Sequence, residues 1–255
     1  MDSQSTDMTK RIPDSSQGSR HGIARVLSKR GLCSRTQAAE WVRSGRVRVN
    51  GVVVLDPEHP VYSEHNHIEV DGADTHAGER IYLMLNKPRG VVTTVRDERG
   101  RDTVYRCFEG ADLPWIAPVG RLDRASEGLL LFSNDPEWAA RVSGPARIRK
   151  IYHVQIKCIP DAAQLARMRD GLEEGGELLK ARVARLLRQG SRNAWLEIVL
   201  DAGRNRQIRR MLAALDIGVL RLIRVAIGSI LLGDLGKGEW RRLSEQEIKR
   251  LTQDL

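Results

Sequence analysis

An unbroken apolar run, Leu129-Leu130-Leu131-Phe132, follows directly on the segment Gly120-Arg121-Leu122-Asp123-Arg124-Ala125-Ser126-Glu127-Gly128. Apolar residues in succession, without a polar break, read as a buried strand from Leu129 to Ser133. The polar, glycine-bounded segment before it is then a loop at the end of that strand. The loop sets Asp123 between two arginines, and neighbouring positive charge holds a carboxylate ionised. An ionised Asp on a loop carried by a rigid strand serves as a nucleophile or a base. Residue types alone leave a second reading open, a surface Arg–Asp pair in a turn.

Charge elsewhere is segregated. The 255 residues hold 42 Lys and Arg against 33 Asp and Glu, a formal net charge of +9. From Arg20 to Asn50 there are eight basic residues and one acid, Glu40. From Gly51 to Glu79 there are seven acids and neither Lys nor Arg, and from Gly203 to Arg224 six arginines face Asp216 alone. Two basic segments flanking an acidic one suit a polyanion gripped at two surfaces, against the plainer reading of solvated faces. Arginine dominates both segments, and its planar fork matches phosphates and stacks on bases.

Several classes are excluded. No apolar run approaches the roughly 18 residues of a membrane span; the best, around Leu220 to Leu235, is interrupted by Arg221, Arg224 and Asp234. Cys33, Cys107 and Cys158 lie far apart without metal-ligand spacing, so free thiols in a reducing compartment are expected, with no zinc site. The first residues lack an apolar segment and carry Asp2, Asp7 and Asp14, against a secretory or transit leader. A cytoplasmic protein is expected.

The chain divides into a tail, a small module and a larger domain. Residues 1–19 are polar and read as disordered. In residues 20–71, Ile23 to Arg30 and Arg35 to Ser44 have helical patterns, the second capped by Ser34. Val47-Arg48-Val49 alternates, Asn50-Gly51 signals a hairpin, and Val52 to Leu55 and Ile68 to Val70 continue as strands. Residues 72–79 read as a linker, and residues 80–255 as the second domain. There, Ile81 to Leu85, Gly90 to Val95 and Ile151 to Lys157 read as strands, as does the alternation of Leu196, Ile198 and Leu200. Ala162 to Gly171 and Gln207 to Leu215 read as amphipathic helices, the latter turning Ile208, Met211, Leu212 and Leu215 inward and arginines outward. The expected fold is α+β: a small N-terminal ααβ module joined to a larger domain with a mixed, largely antiparallel sheet and flanking helices.

The Asp123 loop, with Ser126, Gly128 and the run to Asp135, resembles the signature of the RNA pseudouridine synthases, specifically the ribosomal RNA branch (the RsuA/RluB/RluE/RluF-like family). Asn86-Lys87-Pro88-Arg89-Gly90 is similar to the family's Lys-Pro-x-Gly motif, and Lys150-Ile151-Tyr152 to its Lys-x-Tyr element. Gly203 to Met211 resembles its arginine motif, and Leu222 to Gly228 with Gly238-Glu239-Trp240-Arg241 its C-terminal segments. Ser126 stands where Thr is common, and keeps the hydroxyl. In the module, Arg25 to Ser28, Gly31 to Arg35, Ala38-Ala39 and Gly45 to Gly51 resemble an S-four-like RNA-binding domain.

The resemblance implies isomerisation of a specific uridine to pseudouridine in ribosomal RNA, more in the manner of the large-subunit branch, without metal or cofactor. Asp123 is implied as the essential carboxylate, nucleophile or base, and Tyr152, one of eleven aromatics, as the ring stacked on uracil. Arg209 is implied as the partner of Asp123, with Arg206 and Arg210 close enough on the helix that geometry must decide among the three. Arg121, Lys87, Arg206 and Arg210 are expected at the substrate, and Arg25, Lys29, Arg35 and Arg46 at RNA through the module. The partner is ribosomal RNA or a pre-ribosomal particle, no membrane is involved, and a monomer is expected. Competing readings are a small-subunit synthase and an RNA-binding assembly protein without catalysis.

Overall fold

Two short amphipathic helices and two glycine hairpins build the first unit of the computed structural model, which describes residues 20–62, 65–75, 78–95, 97–144, 148–201 and 203–253. The tail of residues 1–19 lies outside the described residues. The unit contains β1 (His21–Gly22), α1 (Ile23–Lys29), α2 (Arg35–Arg43), β2 (Val47–Val49), β3 (Val52–Val53), β4 (Pro60–Val61), β5 (Ile68–Val70) and β6 (Ala73–Asp74). The Ser34 side chain accepts the Gln37 N–H and starts α2, as its position before the apolar stripe requires. Val26, Leu27, Ala38, Val42, Val47 and Ile68 join one apolar cluster with their neighbours. Asn50 and Gly51 have φ of 51° and 80°, the pair of positive values that a two-residue hairpin needs.

The linker reading of residues 72–79 is corrected in its first half. Asp71 and Gly72 also have positive φ, 54° and 80°, and turn the chain into a second hairpin. Ala73–Asp74 pairs with β5, giving the sheet order β3-β2-β5-β6. The Thr75 hydroxyl, buried, donates to the Ile68 carbonyl at 2.7 Å. An Asp-Gly dipeptide after a strand is itself a hairpin signal. The division between the two units falls at Ala77 and Gly78.

The second unit contains β7 (Tyr82–Lys87), β8 (Ala117–Val119), β9 (Glu127–Ser133), α3 (Pro136–Ser143), β10 (Lys150–Ile156), α4 (Ala162–Asp170), β11 (Leu172–Glu174), β12 (Glu177–Leu179), β13 (Val183–Gln189), β14 (Ala194–Leu200), α5 (Gln207–Ala213), β15 (Val219–Ile227), β16 (Ile230–Leu231), β17 (Trp240–Arg242) and α6 (Glu245–Gln253). Its main sheet runs β13-β14-β10-β15-β9-β7-β17, with β16 on β15 and β8 on β9. Every pairing is antiparallel except β9 with β15. The mixed, largely antiparallel sheet of an α+β fold is therefore present.

Burial on both faces explains the run that opens β9. Leu130 and Phe132 point into the cluster that holds α4 and α5, while Leu129 and Leu131 point into the one that holds α3 and α6. Neither face meets water, so neither tolerates a polar residue. By contrast β10 is covered on one side: Tyr152, Val154 and Ile156 are buried, and Ile151, His153 and Gln155 are half-exposed. That contrast is the one between its strict alternation and the unbroken run of β9.

One expected strand does not form. Gly90 to Val95 is turns and bends, and Val92 makes an isolated bridge with Thr103. Its hydrogen bonds go elsewhere: the Gly90 N–H to the Arg124 carbonyl, the Val92 N–H to Asp102, and the Thr93 hydroxyl to the Leu122 carbonyl. Gly90 and Thr93 here brace the loop that carries Asp123, a tertiary demand that overrides the strand propensity of the segment. The interrupted apolar stretch after Gly218 becomes β15, the longest strand, in which Leu222, Arg224 and Ala226 are buried at alternate positions.

The parallel junction imposes one glycine. Gly128 pairs with Arg224 at φ of 101°. A Cβ there would collide with the backbone oxygen of Arg224 and lie 2.8 Å from its nitrogen. Neither the conformation nor the gap admits a side chain. Gly128→Ala is expected to cost at least about 2 kcal/mol, read as a lower midpoint in thermal or denaturant unfolding. An unchanged midpoint would show that the two strands can separate without loss.

Candidate active site

Asp123 occupies the loop between β8 and β9, and that loop is held through its own backbone. The Leu122 carbonyl accepts from the Thr93 hydroxyl at 2.8 Å, and the Arg124 carbonyl accepts the Gly90 N–H at 2.8 Å. The Asp123 carbonyl accepts the Ser126 N–H at 2.9 Å and Lys87 Nζ at 3.2 Å. The Ala125 carbonyl accepts from Arg209 Nη2 at 3.0 Å, and the Ser126 carbonyl from Lys87 Nζ at 2.9 Å. Every carbonyl from Leu122 to Ser126 thus has a donor, so the carboxylate between them is placed before any ligand arrives.

Lys87 was expected at the substrate, and its place is beneath the loop instead. Its side chain is fully buried, and its ammonium donates to Pro88 at 3.1 Å as well as to Asp123 and Ser126. Burial pushes this ammonium down to about 8, opposed by the negative charge of Asp123. An ammonium has three hydrogens, and three carbonyls take them.

The Asp123 carboxylate is one-third exposed, and two arginines approach the same oxygen. Arg206 Nη1 donates to Oδ2 at 3.2 Å, and Arg209 Nε stands 3.9 Å from it. Arg209 Nε is buried and has no hydrogen-bond partner, while its Nη2 clamps the loop. Burial lowers the Arg209 guanidinium from its ordinary value, yet a guanidinium stays charged at any working pH. Arg206 caps α5 from the left-handed region, at φ 48° and ψ 29°. Such a conformation carries a steric cost for any residue with a Cβ. Arg210, also expected at the substrate, points away: it pairs with Glu174 and Glu177 on the β11–β12 hairpin. It lies about 100° around the helix from Arg209. Geometry thus gives the hydrogen bond to Arg206, the loop clamp to Arg209 and a structural ion pair to Arg210.

The carboxylate faces a cleft of about 340 Å³. Tyr152 lines it from β10 with 7% of its surface exposed, and its hydroxyl makes no hydrogen bond among the described residues. Arg121 lines it and is exposed. Lys150, Arg204, Arg206, Arg209 and Arg224 line it too, against Asp123 and Asp201, so the cleft is strongly positive. Lys150 and Arg224 lie in sequence segments far apart, and their shared cleft appears only when β10 and β15 pair.

In the first unit Arg25 and Arg35 are exposed and Lys29 is half-buried. Arg46 is engaged: its guanidinium forms a bidentate pair with Asp71 and lies 5.2 Å from the centre of the Trp41 ring. Arg46 therefore ties the β2 entry to the second hairpin, whereas Arg25 and Arg35 stay exposed without an ion pair among the described residues.

Comparison with known proteins follows the same division. A family model described as RNA pseudouridylate synthase matches residues 81–214, and one described as S4 domain matches residues 22–66. An uncharacterized RNA pseudouridine synthase of Aquifex aeolicus is 37% identical over 232 residues, 90% of this chain and 92% of the relative. Ribosomal large subunit pseudouridine synthase B of Bacillus subtilis is 35% identical over 90% of this chain and 94% of its own length. A crystal structure of pseudouridylate synthase superposes with a TM-score of 0.64 at 28% identity, covering 91% of this chain and 99% of that one.

Removing Lys87 tests the loop clamp. Lys87→Met is expected to lower stability by about 3 kcal/mol by stranding buried carbonyls. The native ammonium gives up its proton near pH 8, and an unfolded lysine does so near 10.5. Between those values the unfolded chain holds the extra proton, so stability from this group rises with pH and falls away as pH drops through 8. Wild-type unfolding curves should therefore gain on those of the variant across that window; parallel curves would contradict the buried ammonium.

Proposed function

We propose, from the premise that this chain belongs to the RNA pseudouridylate synthase family and is an RNA-modifying isomerase, that its substrate is a uridine of large-subunit ribosomal RNA. The relatives named for the large ribosomal subunit support that choice, in Bacillus subtilis and, at 33% identity over 91% of this chain, in Haemophilus influenzae. The observation that carries the site assignment is the Asp123 carboxylate, set on a loop with every carbonyl bonded and flanked by Arg206 and Arg209.

The reaction breaks the bond between ribose C1′ and uracil N1, turns the base and joins C1′ to C5. A proton leaves C5 and N1 ends protonated, so no atom is gained or lost. Asp123 acts at the ribose, as a nucleophile on C1′ or as a base on a ribose proton. The two arginines keep it ionised and aimed. Tyr152 stacks on the uracil, and its unpaired hydroxyl is free to pass a proton. Arg121 and Arg206 meet the phosphates at the cleft mouth. A paired uridine must leave its stack first, at a cost of about a few kcal/mol, which phosphate contacts offset. Arg25 and Arg35 of the S4 domain add such contacts and read the fold of the RNA more than its sequence. The carboxylate, the arginines and the tyrosine all come from one chain, which supports a monomer, and a ribosomal RNA substrate supports the cytoplasm as the place of work.

Mapping pseudouridines in ribosomal RNA from cells lacking this protein should reveal one missing large-subunit position, restored by the wild type and not by Asp123→Asn. Restoration by the Asn variant would sink the assignment of Asp123, and an intact large-subunit map would sink the substrate. Arg206→Ala, which removes the hydrogen bond to the carboxylate, should lower kcat by about 100-fold or more, measured by single-turnover pseudouridine formation. RNA affinity should fall at least about tenfold between about 50 and 200 mM salt as counterions are released; a flat response in filter binding would contradict the two-surface grip.

A further inference from the structure

Arg224 is the least exposed cation of the cleft, at 4%. It sits on β15 opposite Tyr152 of β10, and facing residues on paired strands share a side of the sheet. Its Nε donates to the Leu129 carbonyl at 2.7 Å, which fixes the plane of the guanidinium. Its Nη2 is buried with no hydrogen-bond partner. Among the described residues no carboxylate pairs with it. Instead Lys150, on the same cleft wall, feels Arg224 as a repelling charge. An uncompensated guanidinium buried beside another cation carries a large desolvation penalty. The single backbone bond it makes needs only a neutral donor. The remaining donors await an acceptor from outside the chain.

A gradient of burial identifies the acceptor. Arg121 is exposed, and the side chains of Arg204 and Arg206 are 47% and 51% exposed. Arg209 is 16% exposed, Tyr152 7% and Arg224 4%. Cations at the mouth meet phosphates, which stay with the RNA backbone. The part of an extruded nucleotide that reaches the floor is its base. Uracil presents carbonyl oxygens O2 and O4 on its edges. When the C1′–N1 bond breaks, its electron pair passes to the base, and the negative charge spreads from N1 over those oxygens. Resting on the proposed reaction, we propose that Arg224 is a catalytic residue that donates to a uracil carbonyl oxygen and stabilises the detached base as an anion. A fixed cation in a dry floor is placed for charge that appears only as the bond breaks. An arginine only donates. A contact at O4 would also disfavour cytosine, whose amino group occupies that position.

Exchange of single atoms in the substrate tests this against the protein variant. Transcripts of the mapped ribosomal RNA segment carry uridine, 2-thiouridine or 4-thiouridine at the modified position, and single-turnover rates are measured for wild type, Arg224→Met and Arg224→Lys. Sulfur accepts a hydrogen bond poorly. At one of the two positions, substitution is expected to slow the wild type at least about tenfold more than it slows R224M. R224K, which keeps the charge and loses the fork, should fall between them, and it carries the comparison alone if R224M does not fold. Equal sulfur effects in wild type and variants at both positions overturn the proposal, while leaving the proposed reaction intact. So does a loss that is the same for all three RNAs and lies in KM, since that marks a phosphate contact. No pseudouridine from wild type on unsubstituted RNA overturns the proposed reaction, and this inference with it.

Discussion

The parallel junction of β9 and β15 is the constraint on which the site depends. Antiparallel neighbours can be joined by local turns, but this pairing joins segments nearly a hundred residues apart in sequence. It is made where Gly128 brings one backbone against that of Arg224. Around it Glu127, buried, receives two hydrogen bonds from Arg221 at 3.0 and 2.9 Å, and Arg221 with Lys237 holds its carboxyl below the usual range. Arg224 Nε reaches back to the Leu129 carbonyl. Glu127 is thus satisfied by Arg221, and Arg224 Nε by the Leu129 carbonyl, which lowers the cost of burying two charged segments at the junction.

Placement of the cleft residues follows from that junction. The loop bearing Asp123 ends at Gly128, and the strand bearing Arg224 runs beside the one bearing Tyr152. Lys87, at the end of β7, closes the loop from below, and Arg209 of α5 closes it from the side. A carboxylate one-third exposed to water is flexible unless its backbone is held, and here each carbonyl of the turn is occupied. The charge of Arg206 and Arg209 then acts on a fixed target, which is the condition under which electrostatics contributes most to a reaction barrier.

Legibility in sequence varied with the range of the interaction. Helices α1, α2, α4 and α5 were visible because apolar stripes and caps are local, and strand β10 because alternation is local. Gly90 to Val95 misled because its Val and Thr residues suit a strand, while Gly90 and Thr93 bond the Asp123 loop and Val92 bonds Asp102 and Val104. The second hairpin at Asp71-Gly72 was missed because the acidic, glycine-containing stretch after it resembles a linker. Among the site residues, Asp123 and Tyr152 stand in the cleft as expected. Lys87 and Arg210 do not, since no local pattern tells a lysine under a loop from one at a ligand, or an arginine on one side of a helix terminus from its neighbour.

The sequence by itself determined the two-unit plan, the α+β class and the doubly buried strand behind a charged loop that carries Asp123. These depend on residue type and short spacing, which the chain carries wherever it folds. Only the tertiary structure decided which arginine bonds Asp123, that Lys87 is a clamp, and that Arg224 lies on the cleft floor with no counter-charge among the described residues. Each of those depends on which distant strand lies alongside, and so on burial, and burial is what turns a common arginine or lysine into a group that must find a partner.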